Sequence, residues 1–93
     1  MDEINVKIIE GITGQDCDID VPLDATIGDV LIGLVNEGFI SPDNQSGRNV
    51  LYNKDGNQGT PQGVKYDDRN KTVKEYGWQS GQSFAVMFDA IAG

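Results

Sequence analysis

The chain has 93 residues, 12 of them glycine, with 38% hydrophobic residues and a formal net charge of −8, which fits one small, turn-rich domain with little room for an internal active site. Seven Lys and Arg against 15 Asp and Glu argue against nucleic acid as a partner and against an anionic membrane surface. One cysteine and no histidine exclude an internal disulfide, Ser-His-Asp catalysis and the usual zinc sites, leave Cys17 as a small apolar core residue, and point to a reducing, cytoplasmic compartment.

The start, MDEINVKII, has no basic region ahead of its apolar residues, and no apolar run approaches the ~20 residues of a membrane span. Within residues 4–10, Ile4, Val6 and Ile8 alternate with Asn5 and Lys7, which predicts a half-buried strand. GITGQD reads as a turn, and CDIDV then alternates Cys17, Ile19 and Val21 inward with Asp18 and Asp20 outward. The opening is a β-hairpin, ended by Pro22.

TIGDVLIGLVNEG is the strongest element. Thr26 is the N-cap, Asp29 completes a capping box, and Ile27, Val30, Leu31, Leu34 and Val35 form one apolar stripe. Gly38 fits the position just past the helix end. Gly28 and Gly33 each weaken the helix by about 1 kcal/mol relative to alanine, which close packing on the sheet explains better than a ligand contact.

Residues 41–49 form a polar turn region, residues 50–52 (VLY) a short third strand, residues 53–63 a surface loop, and residues 64–66 a short edge strand. Thr72 and Glu75 repeat the capping-box spacing and predict one helical turn before Gly77. In the last strand, residues 83–88, Phe84, Val86 and Phe88 point one way and Ala85 and Met87 the other. One amphipathic helix must cover one face of a mixed sheet, with the last strand central and paired with the first. That arrangement is a β-grasp. Tyr76 and Trp78 read as packing residues at the end of the sheet.

On these residues the chain resembles the ubiquitin-like family over nearly all of its length. The matching segments are the hairpin INVKII…DIDV, the helix start DATIGDVLIGLV and the ending KTVKEYGWQSGQSFAVMF. Thr72, Val73, Tyr76, Gly77 and Trp78, then Ser80-Gly81, stand where that family has a Thr-Leu-x-x-Tyr/Ala-Gly/Asn-Ile turn and a short polar turn. The Gly-Trp and Ser-Gly pieces are most similar to bacterial ubiquitin-like proteins, including the YukD/EsaB group tied to type VII secretion.

The resemblance implies an α+β fold, a ubiquitin-like β-grasp with a mixed four- to five-stranded sheet under one helix. The domain would span residues 1–88, with a flexible tail at 89–93. It implies a monomeric, non-catalytic protein without cofactor or metal, recognised by other proteins. Carried over by position, the recognised sheet-face patch would be Leu51, Ala85 and Met87. The alternation agrees in part, setting Val50 inward with Phe84 and Val86 and leaving Leu51 and Met87 outward. No histidine or arginine flanks this patch, and Asp89 stands where ubiquitin is basic, so its partners are expected to differ from ubiquitin's own.

The tail carries a second implication. Conjugation threads a terminal carboxylate through a narrow enzyme channel to be adenylated and made a thioester, and only glycine leaves that path clear. Residues 89–93 reach roughly 15 Å if extended and end in Ala92-Gly93 instead of Gly-Gly. Three roles stay open: a protein modifier activated through Gly93 by an activating enzyme, a YukD/EsaB-like accessory that binds a secretion component, and a sulfur carrier, which Ala92 disfavours. Two other motifs carry nothing. Asp16, Asp18 and Asp20 are spaced like calcium ligands, but Val21 and Ile27 stand where such a loop needs Gly and Glu. GTPQGVK has the wrong spacing for a phosphate loop.

Overall fold

Alternation builds the opening hairpin as the sequence predicts. In the computed structural model, which describes residues 2–54 and 60–90, β1 runs Glu3–Glu10 and β2 runs Asp16–Pro22. They pair antiparallel, with Ile4 opposite Val21, Val6 opposite Ile19 and Ile8 opposite Cys17. These pairs face inward, and Asp16, Asp18 and Asp20 share the other face.

The helix α1, Ile27–Asn36, is held at both ends by its own sequence. Thr26 and Asp29 exchange both capping-box bonds at 3.1 Å. The amides of Ile27 and Gly28, left without helical partners, donate to the carbonyls of Lys71 and Arg69. At the far end Gly38 has φ 75°. This left-handed turn lets Gly38 N–H reach Val35 O and Phe39 N–H reach Leu34 O, each at 3.0 Å.

Strands β3 (Gly47–Asn53), β4 (Lys65–Tyr66) and β5 (Ser83–Ala90) complete a five-stranded sheet in the order β2-β1-β5-β3-β4. β5 is central, parallel to β1 and antiparallel to β3. Before it, Thr72 and Glu75 exchange capping bonds at 3.0 Å around one turn that ends at Gly77.

The core lies between α1 and the sheet. Val6, Ile8, Ile27, Leu51, Val73 and Phe84 are fully buried there. Trp78 stacks on Phe84 at 3.8 Å between centroids, and Tyr66 meets both rings edge-on. Trp78 is thus a packing residue, as expected, with Tyr76 beside it against Tyr66.

Three expectations are corrected. Leu51 does not face outward: it is 0% exposed and packs in the core, paired with Val86 and Tyr66. Val50 takes the other face, opposite Met87. The cause is a pair of asparagines on the core side of β3. Asn49 Nδ2 donates to Ser41 O at 2.7 Å, and Asn53 Nδ2 donates to Thr60 O at 2.6 Å. Both side chains are buried because loop carbonyls receive them, and a strand with period two then turns Leu51 inward.

The second correction concerns the chain end. Asp89 and Ala90, expected in the tail, belong to β5, opposite Arg48 and Gly47. The third is that an arginine, Arg48, does stand beside the outer face, across from Asp89.

Candidate protein-binding face

The face of the sheet away from α1 is built row by row from the ladder. Ile9, Ala85 and Tyr52 form one row, Met87 and Val50 the next, and Asp89 and Arg48 a third. Ile9, Ala85 and Tyr52 are half-buried, Met87 is 37% exposed, and Val50 is covered. Of the patch expected from sequence, Ala85 and Met87 lie together here and Leu51 does not.

The turn after β1 adds a residue that the sequence reading passed over. Ile12 is 79% exposed. Its position is set by Glu10, whose carboxylate accepts from the amides of Ile12 and Thr13 at 3.0 and 2.9 Å and from the Thr13 hydroxyl at 2.8 Å. Those bonds, the Ile12 amide first, hold the Glu10 carboxyl below the usual carboxylate range. Gly11, between the two, donates to Val86 O at 2.9 Å, and the Met87 side chain lies across it. Ile12 thus follows directly on the glycine that the Met87 side chain covers. The signal was a lone aliphatic residue in the GITG turn.

One edge of this face is polar. Asp89 accepts from Tyr52 Oη at 2.8 Å and from Lys65 Nζ at 3.0 Å. Lys65 first, then Tyr52, holds the Asp89 carboxyl low, and Asp89 in turn holds the Lys65 ammonium up. Burial first, then Asp89, pushes the Tyr52 phenol up. At the opposite edge Asn5 Nδ2 donates to Asp20 at 3.1 Å, and Lys7 stands across from Asp18. The face is an apolar centre with charged margins, which is the anatomy of a protein-interaction surface. Among the described residues no group of three or more His, Cys, Asp or Glu is arranged to hold a metal ion, and no helix is long and apolar enough to cross a membrane. Gly93 lies outside the described residues.

No family model matches the chain, and no curated protein sequence matches it. Solved structures do. The Caldiarchaeum subterraneum ubiquitin superposes with a TM-score of 0.69 at 18% identity, over 99% of this chain and 100% of that one. The C-terminal ubiquitin-like domain of mouse tubulin-specific chaperone e gives 0.72 at 14% identity, over 98% and 91%. The fold is a ubiquitin-like β-grasp. A chain of the MycP5-free ESX-5 inner membrane complex contains a similar unit, with a TM-score of 0.61 at 17% identity over 98% of this chain and 22% of that one. In this ubiquitin-like chain the outer sheet face and the Ile12 turn meet beside the central strand.

Proposed function

We propose that the chain is a non-catalytic protein-interaction module whose contact surface is the outer sheet face, centred on Ile12 and Met87 with Ile9 and Ala85 beside them. The observation that carries this reading is that Met87, exposed on the outer face, lies across Gly11 in the turn that also carries the exposed Ile12. Fully burying such a side chain contributes about 1.5–3 kcal/mol, so two anchors with a polar margin give a small hot spot. The test is capture of proteins from the source cell's extract by the immobilised chain, compared with Ile12→Asp plus Met87→Asp. Both positions are exposed, so the variant keeps its melting temperature and loses the specifically captured proteins. Unchanged capture rejects the sheet face as the site.

The end-to-end likeness to the archaeal ubiquitin supports a further reading, a protein modifier joined through Gly93. Incubation with ATP and a cognate activating enzyme then gives a Gly93 thioester, and deletion of residues 91–93 abolishes it. The likeness within the ESX-5 inner membrane complex supports a different one, a binding accessory of a type VII secretion assembly. There the same deletion leaves partner capture intact and no thioester forms.

A further inference from the structure

The helix α1 carries an apolar row that neither the core nor the outer sheet face uses. Leu31 and Leu34 are buried in the core. Ile32 is 61% exposed. Val35, read from sequence as part of the same stripe as Leu31 and Leu34, is half-buried and stands outside the core cluster. Gly28, Leu31, Ile32 and Val35 follow i, i+3, i+4 and i+7 spacing, so they share one side of the helix. With Pro42, Asn49 and Arg69 they line an open recess of about 430 Å³. Gly28 lets one wall come close. Its N–H donates to Arg69 O at 3.1 Å, and a Cβ there would come within 3.3 Å of the same oxygen. The close packing expected of Gly28 is therefore against the Arg69 segment. At Gly33 a Cβ would meet nothing within 4 Å, and packing does not account for that glycine.

Charge is spread unevenly around the helix. Asp29 and Glu37 lie on its other side, where Asp18, Asp20 and Asp24 join them. Among the described residues that line the recess, the one carboxylate is Asp43. It is paired with Arg69 Nη1 at 2.5 Å, and Arg69 Nη2 donates to Asn49 O at 2.7 Å. Asn49 in turn is buried, with its side-chain amide donating to Ser41 O and Asp43 Oδ1. A chain with a formal net charge of −8 thus keeps one face that is apolar and locally neutral.

We propose that this face is where two copies of the chain associate about a two-fold axis, with Ile32 of each seated in the recess of the other. A two-fold contact requires a patch that is its own complement. Here the projecting group and the hollow lie side by side on one helix, so two such helices can cross with the ridge of each in the groove of the other. Charge points to the same occupant. A partner drawn by charge is basic and goes to the acidic sides, whereas the neutral face is the one on which two like-charged copies can meet. The acidic side of each helix then faces away from the contact. A ten-residue helix is about 15 Å long, so the contact falls short of the ~800 Å² per partner of a stable complex and the dimer is a transient one. This departs from the monomer that the resemblance implies. It is separate from the outer-face site and does not depend on it.

The test is sedimentation equilibrium of the full chain at concentrations up to about 1 mM, where a contact of this strength is populated. A reversible monomer–dimer equilibrium is expected, with amide NMR shifts on dilution confined to α1, Pro42's neighbour Asp43, Asn49 and Arg69. Ile32→Lys is expected to weaken association at least tenfold and to leave the melting temperature of a dilute sample unchanged, because Ile32 is exposed and lysine is a good helix former. The added lysine also brings the net charge nearer zero, so general repulsion does not explain a loss. Ile32→Leu keeps the association. Undiminished association of Ile32→Lys, or dilution shifts centred on the outer sheet face, overturns the proposal. A chain that stays monomeric throughout also overturns it and leaves this face to a different protein.

Discussion

The sulfur of Met87 lies where a side chain on Gly11 would have to be. Gly11 is pinned flat against β5 by its bond to Val86 O, and Met87 fills the space above it. This glycine is there for room. The Gly11→Ala change therefore pushes aside the flexible end of a thioether and costs at most about 1 kcal/mol, at the low end for an overpacked site. It leaves Met87 more exposed. Peptide mapping after mild peroxide treatment is expected to show faster sulfoxide formation at Met87 in the variant. An unchanged rate would mean that Met87 does not rest on Gly11.

Gly47 poses the same question with a different answer. A Cβ there would run into the backbone carbonyl of Asp89 and fall 2.5 Å from the Phe88 ring. Neither yields without opening the β3–β5 ladder, so Gly47→Ala is expected to cost about 1–3 kcal/mol. For a domain of this size that lowers the melting temperature by about 4–8 °C per kcal/mol. A thermal melt beside Gly11→Ala checks the ranking. Equal stability of the two would show that β5 is loose at its end.

Much of this architecture is legible in the residues. The hairpin is written in clean alternation, the helix in its stripe and two caps, and the central last strand in its apolar content. The parity of β3 is not legible. Val50 and Leu51 are both apolar and both buried, so alternation cannot choose between them. Asn49 and Asn53 decide, and a pattern reading sends asparagine outward. Their amides turn inward because the Ser41 and Thr60 carbonyls of the loops that flank the strand receive them, a relation that alternation within the strand does not encode. The candidate face was half legible for the same reason: Ala85 and Met87 followed from β5, while its β3 half was inverted.

That inversion has a measurable consequence. Leu51→Ala empties a fully buried site and is expected to cost about 2–5 kcal/mol, whereas Met87→Ala at a partly exposed site costs less than about 1 kcal/mol. Urea denaturation of the two single variants reads the difference directly. If Leu51→Ala costs as little as Met87→Ala, the faces of β3 are the other way round.

The last prediction concerns acid. Asp43 accepts from Arg69 Nη1 at 2.5 Å and from the Asn49 amide at 2.8 Å, and Arg69 also donates to Asn49 O at 2.7 Å. This cluster ties the segment before β3 to the segment before the Thr72 turn. Arg69 first, with Asn49 adding and burial opposing, holds the Asp43 carboxyl below the usual carboxylate range. The folded state therefore binds that proton less readily than the unfolded chain. The resulting stability is fully present above the unfolded value near 3.9 and is lost as pH falls through the lower folded value. The Asp43 side chain is 39% exposed, so solvent screening keeps the increment to about 0.5–1 kcal/mol. Asp43→Asn is expected to lose that amount at about pH 7 and to approach the parent protein at about pH 3. Denaturant midpoints at the two pH values measure it. The variant keeps some of the parent's acid sensitivity, because Asp89, Glu10 and Glu75 are shifted in the same direction. The same difference at both pH values would show that ionisation of Asp43 beside Arg69 contributes nothing to folding.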